Sequence, residues 1–314
     1  MVDLSGIRVA KRRIAPYIHK TPVLTSSSLD EMTETKLYFK CENFQRSGSF
    51  KIRGATNAVL QLTNKQLEKG VVTASSGNHG AALSMAVSRL GITPKIVMPR
   101  NTPKIKIDNV KRNGGEIIWC EPNQISREKV LNNILEQTKS VLVHPYNDQR
   151  IIEGQGTVGL EFLEQLPDLD VIISPVSGGG LLSGIICSVK KINEKIEVYG
   201  AEPKEADDAF RSLEIGTIQK NQFTNTICDG LRAQIGTLTF PIIKDKVSGI
   251  LTVGEEEIID SMKLIWETMK IIVEPSCAIT LAAVFNNKNM FKGMKVGLVI
   301  SGGNVDLENL PWEN

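Results

Sequence analysis

The sequence predicts an α/β protein: mostly parallel sheet with helices on both faces, divided between two compact units. Three observations carry this. Short β-rich runs alternate with longer helical patterns, which is how strands joined by crossover helices read in sequence. The chain has 314 residues, too many for one compact core of usual size and suited to roughly two domains. No repeat, low-complexity tract or Pro/Gly-rich linker interrupts it. Two units that share a chain without a linker often exchange segments. This puts a smaller unit near residues 67–147 inside a larger one built from 1–66 and 148–314.

The β-rich runs are residues 71–72, 95–98, 116–120, 141–144, 171–176, 196–201 and 295–300. Ala55, Ala58, Val59 and Leu62 form an apolar stripe at helical spacing, as do Leu83, Ala86, Val87 and Leu90, and again Val130, Leu131, Ile134 and Leu135. The 37 basic and 35 acidic residues nearly cancel, so neither a nucleic-acid surface nor a polybasic membrane patch is expected. No apolar run approaches the ~20 residues of a membrane span. The opening Met1-Val2-Asp3-Leu4-Ser5-Gly6 lacks a basic-then-apolar leader profile. The five cysteines, Cys41, Cys120, Cys187, Cys228 and Cys277, are far apart and lack metal spacing, which suits reduced thiols in a cytosolic protein.

Four segments carry chemistry. In Ser49-Phe50-Lys51-Ile52-Arg53-Gly54-Ala55, a lysine stands beside an aromatic among small residues. An amine attacks an aldehyde only when unprotonated, and crowded apolar surroundings disfavour the ammonium form, so Lys51 suits a Schiff base. Alone, the pattern is better read as an ordinary lysine heading an amphipathic helix, and the segments downstream reverse that reading. Next, Ser174-Pro175-Val176-Ser177-Gly178-Gly179-Gly180-Leu181 follows an apolar strand and opens a helix through Ile186 and Val189. Consecutive glycines let N–H groups converge on a phosphate at a helix start, without the Gly-Lys-Ser/Thr of a nucleotide loop. In Val299-Ile300-Ser301-Gly302-Gly303-Asn304, a strand emerges into a glycine turn, with a hydroxyl placed to meet a pyridine nitrogen. Finally, Ala74-Ser75-Ser76-Gly77-Asn78-His79-Gly80-Ala81 joins a strand to a helix start that can receive a substrate carboxylate. His79 is one of three histidines and has no acidic partner at recognisable spacing, which reads as structural.

Taken together, these segments resemble the fold-type II pyridoxal-phosphate enzymes, whose fold is like the tryptophan synthase β chain, and within them the serine racemase and serine/threonine dehydratase family. Cys41-Glu42-Asn43-Phe44-Gln45, Gly154-Gln155-Gly156-Thr157, Met269-Lys270 and Glu274-Pro275 share that family's order and spacing. The resemblance implies two open twisted sheets, a larger cofactor-binding domain and a smaller substrate-gating one at 67–147, and a homodimer. It makes Lys51 the Schiff-base lysine, with Phe50 by the ring and Asn78 on the ring oxygen. Gly178, Gly179, Gly180 and Leu181 would cup the phosphate, and Ser301 would face the ring nitrogen. Ser75, Ser76, Asn78, His79 and Arg127 would bind an amino-acid substrate.

Ser76 decides between branches, because resembling racemases have serine here where typical threonine dehydratases have alanine. The implied activity is interconversion of L- and D-serine with β-elimination to pyruvate and ammonia, Lys51 and Ser76 acting on opposite faces of the substrate. The alternative is a dehydratase of serine, threonine or threo-3-hydroxyaspartate. An aspartate racemase fits less well because Gly77 breaks the expected serine run, and a silent binding protein conflicts with the intact Lys51 and Ser301. Glu202, Asp208 and the Ala206 carbonyl match a Mg²⁺ or Ca²⁺ site. Ser26, Ser27, Lys270 and Asn304 match part of an ATP-effector site, whereas Ala81 and Asn113 depart from it. Ser177 stands where the family's glycine run begins, and Tyr146 replaces an asparagine near the cofactor, putting that contact in doubt.

Overall fold

A computed structural model describes residues 2–221 and 224–312. Ten strands form two sheets: β1 (Val23–Leu24), β2 (Lys36–Cys41), β3 (Val71–Ala74), β4 (Lys95–Pro99), β5 (Glu116–Cys120), β6 (Val141–Leu142), β7 (Val171–Pro175), β8 (Glu197–Pro203), β9 (Gly249–Val253) and β10 (Lys295–Ile300). The larger sheet has the order β1-β2-β10-β7-β8-β9 and the smaller β5-β4-β3-β6. Every neighbouring pair is parallel except β1 with β2. All seven predicted runs are strands, the smaller sheet drawing its strands from residues 71–142.

The differences have local causes. β2 escaped the sequence reading because Lys36 and Lys40 look like charged interruptions, yet Lys40 is buried and its ammonium meets Glu161 Oε1 at 2.6 Å. β9 is an edge strand that starts at a glycine and is only partly covered, so its apolar signal is short. The run at 141–144 pairs only over Val141–Leu142 with β3, although Val143 N still donates to Val72 O at 3.0 Å.

Three helices stack in series, the last packing on the larger sheet and the first lending its apolar residues to the smaller sheet's core. The helix Lys51–Val59 packs on Gln149–Gln165, which packs on Gly180–Ile192. Glycines make this possible: a methyl at Gly154 would lie 2.6 Å from Gly54 Cα, and one at Gly184 would lie 2.6 Å from Ile152 O. The Gly154-Gln155-Gly156 segment thus sets the spacing between the lysine helix and the helix that follows the glycine loop. Gln155 Oε1 accepts from Gly54 N at 3.2 Å and fastens the first contact.

A fully buried charge cluster locks the same stack. Arg53 Nε and Nη2 donate to Glu42 at 2.7 Å each, and Nη1 and Nη2 reach Glu161 at 3.2 and 3.0 Å. Lys40 and Thr21 complete the set on Glu161 and Glu42. The helix bearing Lys51 is therefore tied both to the end of β2 and to the central helix.

Candidate active site

The C-terminal edge of the larger sheet gathers the candidate groups. Phe50 N donates to Ser301 O at 3.0 Å, Gly303 N donates to Gly48 O at 3.0 Å, and Ser49 bridges Gly302, so the segment before Lys51 is stitched to the end of β10. Lys51 heads its helix, with Nζ 3.0 Å from Pro145 O and 5.1 Å from the Phe50 ring centroid. Burial lowers the amine to a pKa of about 8, against a smaller upward pull from Glu274. At neutral pH that raises the free-amine fraction well above that of an ordinary lysine, as a Schiff-base nucleophile requires. Ser301 is buried at the last turn of the same edge.

After β7, the chain turns at Gly179, whose φ of +86° favours glycine, and enters Gly180–Ile192. Among the described residues, the N–H groups of Gly178, Gly179, Gly180 and Leu181 donate to no protein acceptor, which leaves a cluster of donors at a helix N-terminus. Ser177 shapes the turn from outside: its Oγ accepts from Ala233 N at 3.0 Å and donates to Ala233 O at 3.1 Å. Tyr146 supplies a wall, its ring lying where a side chain at Gly178 would stand. His144 Nδ1 accepts from the N–H groups of Tyr146 and Asn147 at 3.3 and 2.9 Å, fixing that wall. The tyrosine at this position is thus part of the cup, in close contact with the glycine loop.

From the smaller sheet comes the loop after β3. Ser75 Oγ accepts from Gly77 N at 3.3 Å and Gly80 N at 3.2 Å, holding the loop against the start of the helix Asn78–Ser88. Ser76 is half-buried and its hydroxyl bonds none of the described residues. His79 is buried: Nε2 meets Val143 O at 3.1 Å, and burial together with Lys51 drives it to a pKa of about 3, so its ring is a neutral support. Arg127 rides on the helix Gln124–Thr138 with a buried Nε that lacks a partner. Burial and Asp208 push the Tyr146 hydroxyl up while Arg127 pulls it down, so the guanidinium is within electrostatic reach of the cup's wall.

One group was not singled out from the sequence. Glu274, buried, accepts from Asn78 Nδ2 at 2.8 Å through Oε1 and from Asn304 N at 3.2 Å through Oε2. Burial raises this carboxyl, opposed first by Lys106 and then by Asn78, Asn304 and Lys51. Asn304 Nδ2 in turn donates to Asn78 Oδ1 at 2.8 Å and Ser47 O at 2.8 Å. The signal was present in Glu274-Pro275, a proline opening the helix Pro275–Asn286 behind an extended acidic residue. What sequence could not supply was that this residue meets Asn78 across 196 positions of chain.

A pyridoxal-phosphate-dependent enzyme family model matches residues 14–302. The chain belongs to the pyridoxal-phosphate-dependent enzymes. A serine racemase of Arabidopsis thaliana is 51% identical over 317 residues, covering 99% of this chain and 96% of that protein. A beta-hydroxyaspartate dehydratase of Paracoccus denitrificans is 46% identical over 303 residues, covering 96% of each. The solved structure of maize serine racemase superposes with a TM-score of 0.96 at 49% identity, over 99% of this chain and 96% of that one. The residues present suit the family's cofactor: a depressed amine at Lys51, undonated N–H groups at the glycine loop for a phosphate, and a hydroxyl at the end of β10.

Two outlying sets fare differently in this pyridoxal-phosphate enzyme. Glu202 and Asp208 are both buried and lie close enough to repel: burial first and Asp208 second push Glu202 well up, and burial lifts Asp208 to about 6. Glu202 accepts from Ala209 N and Phe210 N at 3.0 and 2.8 Å, Asp208 from Asn221 Nδ2 and Ile235 N at 2.6 and 2.7 Å. Ala206 ends the 3-10 turn between them. Among the described residues no three His, Cys, Asp or Glu side chains converge, so a cation here would rest on two carboxylates and a carbonyl. Of the nucleotide set, Ser26 caps the helix Ser27–Thr33 by accepting from Leu29 N, and Lys270 caps Glu255–Met269 with φ 58°, its Nζ donating to Glu267 O at 2.6 Å. Asn304 belongs to the Asn78–Glu274 network.

Proposed function

We propose that this enzyme interconverts L- and D-serine and, from the same site, eliminates water from serine to give aminoacrylate, which water then hydrolyses to pyruvate and ammonia. The observation that carries this reading is the meeting of Lys51, from the larger sheet's body, with the Ser75–Gly80 loop of the smaller, tied together through Asn78 and Glu274. Bound at Lys51, pyridoxal phosphate would supply an electron-accepting ring that acidifies the substrate α-hydrogen. Lys51 then takes that proton on its own face, and Ser76 returns one on the other. Arg127 and the main-chain donors at the start of Asn78–Ser88 hold the substrate carboxylate. Ser301, as a hydroxyl, would hold the ring nitrogen without protonating it, which would favour proton shuttling and elimination. Residues 67–147 act as the gating unit within the frame of 1–66 and 148–314. The similarity to a hydroxyaspartate dehydratase supports the elimination half.

Ser76→Ala tests the two-sided reading. Racemisation should fall on the order of 10²–10⁴-fold, the usual loss for one general acid/base. Pyruvate formation from L-serine should fall far less, because Lys51 alone still reaches its face. Chiral analysis and a pyruvate assay on one sample measure both. Equal losses, or none, would favour a plain dehydratase.

The Glu202–Ala206–Asp208 loop is proposed to bind Mg²⁺ or Ca²⁺, which removes the repulsion between two buried carboxylates. A cation that binds only the folded state stabilises it by about 2.7 kcal/mol at a hundredfold excess over Kd. A chelator should therefore lower Tm, and added cation should restore it. Without cation the sign is also set: carboxyls raised in the folded state oppose folding once ionised, so stability should rise as pH falls through about 6, the Asp208 value. Glu202→Ala with Asp208→Ala should abolish the cation response while the cofactor's visible absorbance persists. A double variant that still responds like the wild type would move the site elsewhere.

The enzyme is further proposed to be a cytosolic homodimer, with ATP as an effector through Ser26, Ser27, Lys270 and Asn304. Phe44 and Ile272, 44% and 46% exposed, support an oligomer because they lie on adjoining segments joined by Asn43 Nδ2 to Ile272 O.

A further inference from the structure

Lys106 lies on the helix Lys104–Arg112, which packs on Asn78–Ser88 and β5 and lends Val110 and Ile107 to the smaller sheet's core. Its side chain leaves that body. The side chain is 17% exposed, and its ammonium pairs with the Asp229 carboxylate of the other body. Asp229 opens a 3-10 turn that is firmly seated there: Gly230 N donates to Ser276 Oγ at 3.0 Å, and Leu231 is part of the larger sheet's core. Among the described residues this is the only ion pair that joins the two bodies. Lys106 also faces Glu274, the carboxyl that holds Asn78 and Asn304, and it meets repulsion from Arg232. One carboxylate of the larger body thus pairs with this amine of the smaller, and a second, Glu274, attracts it without pairing.

From this arrangement we infer that Lys106 is a positioning residue for the proposed reaction: paired with Asp229, it straps the smaller body over the site and brings the Ser75–Gly80 loop to the substrate. The inference rests on the serine racemase and dehydratase reading. Lys106 and the loop move as one because the helix Lys104–Arg112 packs on the helix that Asn78 begins. An exposed pair would contribute little, but this one is mostly covered and is made only when the two bodies are together. Substrate binding is therefore where its loss is felt. Lys51 and the glycine loop, both in the larger body, are left as they are.

Lys106→Met and Asp229→Asn should each raise KM for L-serine roughly tenfold, with a smaller fall in kcat for both products, and the double variant should be little worse than either single. Lys106→Asp should be partly rescued by Asp229→Lys. The cofactor's visible absorbance and the Tm of the holoenzyme should change little in the neutral variants, which separates positioning from a folding defect. If Lys106→Met does not fold, Asp229→Asn and the charge-reversal pair carry the same test. An unchanged KM in the single variants, effects that add, or a reversal without rescue would overturn the strap. A wild-type enzyme that makes neither D-serine nor pyruvate would overturn the reading beneath it.

Discussion

Lys51→Ala is expected to abolish racemisation and elimination together and to remove the visible absorbance of the bound cofactor. Loss of a covalent nucleophile costs on the order of 10⁴–10⁶-fold. Among the described residues, Lys106, the other lysine that acts on Glu274, is paired to Asp229 and is not free to stand in. The fold should survive, because Lys51 Nζ makes one hydrogen bond, to Pro145 O, and removing a buried amine relieves its desolvation. Tm near the wild-type value with no absorbance at wild-type cofactor concentration is the expected result. Activity at the wild-type level would end the assignment of Lys51.

Arg53→Met should produce the largest loss of stability. Arg53 is fully buried and neutralises Glu42 and Glu161, so its removal strands two buried carboxylates beside a single Lys40. Breaking a buried pair in this way costs about 3–5 kcal/mol. At roughly 2–4 °C per kcal/mol, Tm should drop by about 10 °C. Adding Glu42→Gln and Glu161→Gln should recover part of the loss, since the penalty lies in the unpaired charge. The pH dependence follows as well. Burial pushes Glu161 up, but Arg53 and Lys40 more than offset it and hold the carboxyl at about 2. A depressed acid stabilises the fold above its unfolded value near 4.5 and loses that contribution as pH falls toward 2. Thermal unfolding between these limits should show the wild type losing stability steeply and Arg53→Met much less so. A Tm shift under about 2 °C would mean that the cluster is not a keystone.

Much of the fold was legible because parallel strands buried on both faces must be apolar along their whole length, as β7 is at Val171, Ile172 and Ile173. β2 was not, since the burial of Lys40 depends on Glu161, which comes from a helix 121 residues later. The glycine loop and Ser301 were legible because chain geometry alone places a strand-to-helix turn at the ligand edge of a parallel sheet. Glu274 was missed for the reason that Lys40 was: a buried charge declares its role only through its partners, and Asn78, Asn304 and Lys106 are distant in sequence.

By itself the sequence determined the α/β class, the order of chemical segments and the family, because these rest on local periodicity, glycine-dependent turns and motif spacing. Only the tertiary structure decided which groups face one another. It turned His79 toward Val143, laid Tyr146 on the glycine loop, drew Asn304 into the Asn78 network and paired Lys106 with Asp229. The physical reason is one of range. Backbone preference acts over a few residues, whereas burial and charge pairing act through space, between segments that the chain brings together only when both sheets have formed.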